Sequence, residues 1–128
     1  MRRPYLITFA LAAGIILISA LSSRGQAPNR VRRVDVLMSL DEMDSGARAR
    51  VLAFTQSLHE RGWTDRYNIR ISFRWIGGDA SRARALAKES VELQPDVMVG
   101  VSSINVASLL QYTRTIPIVF VAVGLNSI

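Results

Sequence analysis

The chain of 128 residues contains no cysteine. That absence excludes a disulfide framework, a thiolate metal site, a cysteine nucleophile and a lipid-modified cysteine at a signal-peptide junction. Histidine is nearly absent too, and His59 alone is too little for a multi-histidine metal centre. No G-x-G-x-x-G follows the first apolar strand, so a dinucleotide fingerprint is missing, and Gly77-Gly78 is an isolated pair. Neither a G-x-x-x-x-G-K-[ST] phosphate loop nor a G-x-S-x-G nucleophile elbow is present. Without a nucleophile–base pair or a metal constellation, the expectation is a protein that is not an enzyme and needs no cofactor.

What the chain does have is apolar surface and an uneven basic charge. Apolar residues make up 49% and charged residues 20%, the balance of a globular chain rather than a disordered one. Lys and Arg number 16 against 10 Asp and Glu, a formal charge of +6. Arg2, Arg3 and Arg24 flank one N-terminal apolar run, and beyond residue 27 the balance falls to 13 basic against 10 acidic. The remaining arginines are scattered. A nucleic-acid footprint needs them clustered on a face or stripe, so no nucleic-acid partner is expected.

Residues 1–27 read as an export signal. Met1-Arg2-Arg3 is a positive start, and Leu6 to Leu21 is an apolar run of 16 residues. As a helix this run spans roughly 24 Å, short of the bilayer core of about 30 Å. A cleaved signal peptide is the better match, with small residues at Ala20-Leu21-Ser22 and Gly25-Gln26-Ala27. If it is retained, residues 6–21 become a membrane anchor. The Arg2-Arg3 pair also admits a twin-arginine signal. In each case the remainder is expected in the periplasm, free or held at the inner membrane.

After a linker at Gln26–Arg30 the hydrophobic period alternates. Val34 to Leu40 predicts a buried strand. Ala47, Val51, Phe54 and Leu58 recur at helical spacing, with Asp44 or Ser45 to start the helix and Gly62 to end it. Ile69 to Trp75 alternates as a strand with one polar face. Asp79 opens a second helix whose inner face is Ala83, Leu86, Ala87, Ser90 and Leu93, and Pro95 closes it. Asp96 to Val101 is a third strand, Ser102-Ser103 opens a third helix, and Ile118 to Val123 is a fourth strand. The order β-α-β-α-β-α-β predicts an α/β fold: an open parallel sheet with right-handed crossovers, after the N-terminal hydrophobic helix. The sequence ends five residues after an apolar fourth strand, so the expectation is the first part of a larger protein, with that strand a hazard if its edge stays open.

Ligands of such sheets bind at the carboxyl ends of the strands. Here those ends supply Ser39 to Asp44, Ile76 to Asp79, Ser102 to Asn105 and Gly124 to Ser127. Ser102-Ser103 lies at a helix start, which favours a carboxylate or phosphate but equally describes an ordinary N-cap. Asp41, Glu42 and Asp44 offer either a cation or ammonium site or a capped loop. His59 reads as a surface residue in the last turn of its helix, and Trp75 as a residue packed under a helix or lining the crevice. Arg48, Arg50, Arg82 and Arg84 fall on wet helix faces.

From Val34 to Gly124 the chain resembles the N-terminal lobe of a family of ABC-transporter substrate-binding proteins with the type-1 periplasmic-binding fold. The resemblance is carried by Phe54 to Trp63, Asn68 to Trp75 with its Gly-Gly turn, Arg84 to Ala87, Gln94 to Gly100 and Thr115 to Val121. It implies a two-lobed protein of which residues 28–128 form a partial first lobe, closing on a small solute, such as an amino acid or other carboxylate, and handing it to an ABC permease. On this sequence the implied ligand positions are Ser39, Ser102, Ser103 and Asn105, with Gly124 in the last loop, where Gly124-Leu125-Asn126-Ser127 departs from the family's turn. The implied function is extracytoplasmic solute binding by a truncated form or non-functional remnant. The alternative is a membrane-tethered ligand-sensing module.

Overall fold

A computed structural model of the chain describes residues 6–7 and 30–122. The elements are β1 (Leu6–Ile7), β2 (Arg32–Met38), α1 (Ser45–Glu60), β3 (Ile69–Trp75), α2 (Ala80–Glu92), β4 (Val97–Val101), α3 (Ser103–Leu110) and β5 (Ile118–Val121). The fold is the expected α/β open parallel sheet, ordered β1-β5-β4-β2-β3, with every pairing parallel. The first apolar strand begins two residues earlier than its hydrophobic run, because Arg32 and Arg33 pair with Ile69 and Arg70, and it closes at Met38. The expected N-terminal helix lies outside the described residues except at Leu6–Ile7, which are extended and pair with Phe120–Val121. At those two residues the expectation of a helix is corrected.

Two hydrophobic layers enclose the sheet. Val34, Val36 and Met38 of β2 and Val97, Val99 and Val101 of β4 point to one face, where Phe54 and Leu58 of α1 meet them. Leu37 and Met98 point to the other face and pack under Ala83, Ala87 and Val91 of α2 and Val106 and Leu109 of α3. Alternation of side chains across a strand makes this division. Small alanines on α2 let it approach closely. The inner face of α2 uses Val91, while Leu93 at its end is 45% exposed, because the helix closes before the turn that would bring Leu93 inward.

Helix starts are fixed by carboxylates. The Asp44 carboxylate accepts from the Gly46 and Ala47 amides at 2.7 and 3.3 Å, and the Asp79 carboxylate from Ser81 and Arg82 at 2.9 and 3.2 Å. Each cap is worth roughly 1 kcal/mol. At the opposite end of the sheet, Asp96 accepts two bonds from the Arg30 guanidinium, at 3.1 and 2.5 Å, and one from the Arg33 amide at 2.8 Å. Burial alone pushes the Asp96 carboxyl up, but the bonds from Arg30 and Arg33 outweigh it and hold it below the usual carboxylate range.

Candidate functional site at the carboxyl rim of the sheet

The strand register lines up the rim. Leu37 pairs with Gly100, Met38 with Trp75 and Val101 with Val121. Continued past the strand ends, this register sets Ile76, Ser39, Ser102 and Ala122 in one row. The rim is tied together by backbone bonds: the Ile76 amide donates to the Met38 carbonyl at 2.9 Å, and the Ser102 amide to the Val121 carbonyl at 2.8 Å.

Ser102 is the most unusual residue of the row. Its φ of 82° and ψ of 159° lie in a region that is nearly reserved for glycine. Such a conformation costs about 1–3 kcal/mol in a residue with a side chain. The strain places its Oγ in a buried position with no hydrogen-bond partner among the described residues. Consequently α3, unlike α1 and α2, has no side-chain cap. The amides of its first turn and the positive end of its dipole are left facing the rim, an arrangement that favours an anionic group. Ser103, the next residue, is exposed.

Asn105 stands beneath this turn and is fully buried. Its Nδ2 donates to the Val101 carbonyl at 2.7 Å and to the Leu37 carbonyl at 3.3 Å. One side chain thereby fastens the start of α3 to the ends of β2 and β4. Its Oδ1 is buried and unpartnered among the described residues. Asn105 was expected to face a ligand. Its amide hydrogens hold the backbone that presents Ser102 and Ser103.

Gly100 is a residue of this site that motif reading passes over. A Cβ there would lie 2.7 Å from Val106 Cγ2 and 3.1 Å from the Val106 amide nitrogen, so only glycine lets α3 begin this close to β4. A glycine inside an otherwise apolar strand was the available signal. Ser39 lies half-buried just past β2, on the same row as Ser102. Gly124 lies outside the described residues.

Other candidates go elsewhere. Asp44 is spent on the α1 cap, and Asp41 and Glu42 are exposed. Among the described residues no group of histidine and carboxylate side chains is placed to hold a metal ion. His59 Nδ1 lies 3.2 Å from Thr64 Oγ1, in a groove of about 530 Å³ between α1 and β3 that is lined also by Gln56, Trp63 and Asp65, away from the rim. Trp75 stacks on Phe73 with ring centres 6.2 Å apart and lines a groove of about 350 Å³ with Glu42 and Arg48 at the β3 corner. Arg48, Arg50, Arg82 and Arg84 are exposed, as expected of wet helix faces.

No protein-family model matches the sequence. No curated protein matches it either. Solved structures do. A conserved domain protein from Vibrio cholerae O1 biovar El Tor is 25% identical with a TM-score of 0.64, over 71% of this chain and 30% of the other. A substrate binding protein with adhesive properties from Clostridium difficile, in its ligand-free, open structure, is 23% identical with a TM-score of 0.64, over 76% and 32%. An ABC domain in complex with L-Trp from Streptococcus pneumonia is 21% identical with a TM-score of 0.62, over 73% and 31%. The chain thus has the periplasmic-binding-protein-like fold that its residues resemble, and it spans about a third of the length of these structures.

Proposed function

We propose that this chain contributes one wall of the solute cleft of an extracytoplasmic binding protein serving an ABC-type importer. In this reading residues 1–27 are the export signal or anchor and residues 28–128 are part of the first lobe. The solute bears a carboxylate, an amino acid being the leading class, and the permease is the partner that receives it. One observation carries the reading: the uncapped start of α3 at the rim of the sheet, with the strained Ser102 and its unpartnered buried hydroxyl. A strained residue persists where the surroundings hold it for a purpose, and ligand clamps are such places. The shared fold with a substrate binding protein and with a domain solved with L-Trp supports the solute class. Clefts of this kind enclose most of a ligand's surface. This wall alone is therefore expected to bind weakly, with Ser39, Ser102 and Ser103 touching the solute and Asn105 holding them in place.

The test is a thermal-shift and calorimetric comparison of amino acids with the matching amino alcohols and with neutral sugars. Amino acids should raise the Tm of the wild-type chain, and the amino alcohols, which lack the carboxylate, should not. A response to sugars alone, or an equal response to acid and alcohol, overturns the proposal.

A further inference from the structure

The edge of the sheet at β3 is open only in its middle. β3 ends the strand order, so one side of it faces outward. The Ile76 amide turns inward to the Met38 carbonyl, and the Ile71 amide outward to the Asp65 carboxylate at 3.2 Å. Alternate residues of a strand bond to opposite sides, so the backbone groups of Ile69, Ile71, Phe73 and Trp75 face outward. The ends of this row are occupied. The Arg66 amide donates to the Ile69 carbonyl at 2.7 Å, Asp65 takes the Ile71 amide, and Arg82 Nε donates to the Trp75 carbonyl at 2.8 Å. Among the described residues nothing bonds the Ile71 carbonyl, the Phe73 amide and carbonyl, or the Trp75 amide. Open edges are normally blunted by charge, bulges or cover. Here the blunting stops short of a stretch centred on Phe73.

That stretch is self-complementary. Under a two-fold axis at Phe73, a second β3 runs antiparallel to the first. Phe73 then stands opposite the partner's Phe73, and Ile71 opposite the partner's Trp75. The two Phe73 residues exchange both N–H···O bonds, and each Trp75 amide reaches an Ile71 carbonyl across the axis. The other donor and acceptor of each Ile71–Trp75 pair are the ones held by Asp65 and Arg82. At each end of the pairing a carboxylate of one copy therefore meets a guanidinium of the other. Within one chain these two groups sit at opposite ends of the open stretch, so only a second copy brings them together. The chain path fits as well. Past Trp75 the chain turns away through Gly77-Gly78 into α2, so the partner's strand ends where the Asp65 segment would block it. On the α1 side, the 64% exposed Leu52 lines grooves along this edge with Ile71 and Trp75, and pairing covers that apolar surface. On the other side Ser72 stands opposite the partner's Arg74, so like charges do not face each other directly.

We propose that the β3 edge is a homodimer interface, in which two copies join their sheets through antiparallel β3 strands and reciprocal Asp65–Arg82 ion pairs. This inference does not depend on the identity of the solute.

The test uses the full chain, in mild detergent to shield the apolar residues 6–21. Sedimentation velocity up to about 1 mM protein should show a monomer–dimer equilibrium, as expected of a small interface. Because the chain has no cysteine, Phe73→Cys gives one thiol per copy. The two Cα atoms of such a pair lie about 5.5 Å apart, within disulfide range, so mild oxidation should trap a folded dimer. Arg82→Glu suits the first turn of α2 and leaves the fold intact. It turns two attractions into two repulsions, so the dimer Kd should rise about tenfold or more. Adding Asp65→Arg reverses the pair and should restore most of the affinity. If Phe73→Cys fails to fold by urea titration, the charge exchange decides alone, since Asp65 and Arg82 are exposed. A dimer indifferent to Arg82→Glu, a double variant no tighter than Arg82→Glu, or a folded Phe73→Cys that stays reduced overturns the proposal. A chain that is monomeric throughout also overturns it, and leaves the edge to a strand of another protein.

Discussion

Replacing Asn105 with alanine tests whether the rim is built as described. The side chain is fully buried and donates to the Val101 and Leu37 carbonyls at 2.7 and 3.3 Å. Two net hydrogen bonds are worth about 1 kcal/mol each, and the void and lost contacts of a buried side chain add about 1–3 kcal/mol. The unpartnered Oδ1 offsets part of this, because its removal relieves a desolvation cost of about 1 kcal/mol. The balance is a loss of about 2–4 kcal/mol, or a Tm lower by roughly 10–25 °C for a domain of this size. Urea titration followed by Trp63 and Trp75 fluorescence measures it. Asn105→Asp sharpens the test. It keeps the shape and suits the helix dipole by about 0.3–1 kcal/mol, but it turns a carboxylate toward two carbonyl oxygens. Asp should therefore be no better than Ala. An alanine variant within about 0.5 kcal/mol of wild type, or an aspartate variant as stable as wild type, refutes the view that this amide fastens α3 to the sheet.

Ser102→Gly should raise stability by about 1–3 kcal/mol by relieving the backbone strain, while weakening the response to a carboxylate solute at least severalfold; urea titration and calorimetry read the two sides separately. Gly100→Ala should cost about 1–3 kcal/mol through overpacking against Val106, and should lower both Tm and any solute response. Arg74→Met leaves the 2% exposed Asp35 without its ion-pair partner at 3.2 Å, and urea titration should show a loss of about 3–5 kcal/mol. For Asp96 the native carboxyl titrates below its unfolded value, so its contribution is complete above roughly pH 4 and is lost as pH falls through the lowered native value. Acid titration of Asp96→Asn should show less pH dependence in that window than wild type. Equal slopes would remove the Arg30–Asp96 pair from the account.

The alternation of elements was legible because it rests on hydrophobic period and on cap chemistry. Asp44 and Asp79 cap the two helices they were read as opening, and Ile69–Trp75 has the bounds its alternation gave. The rim was legible as a place, since any parallel sheet puts its loops there. The role of each residue in it was not. Ser102-Ser103 reads as an N-cap, but whether Ser102 caps depends on its backbone conformation, and with the φ of 82° observed its side chain makes no cap bond. That Asn105 fastens α3 to two strands was not legible, because the Leu37 carbonyl it reaches is 68 residues away. Asp35 was hidden inside an apolar run. Its partners Arg74 and Ser90 are 39 and 55 residues away, and only the sheet brings them together.

That buried carboxylate has a consequence for folding fidelity. Asp35 is opposite Ser72, with Arg74 two residues further along β3 on the same face, and Arg74 also binds Glu89 of α2. A slip of β3 by one residue would turn Arg74 into the Phe54 layer and bring the Phe73 and Trp75 rings onto the side of Asp35. Two charges would then be buried apart, at several kcal/mol, where a purely apolar strand would slide at little cost. A single arginine on an edge strand thus acts as a proofreading key, making the wrong alignment expensive as soon as α2 closes over Asp35.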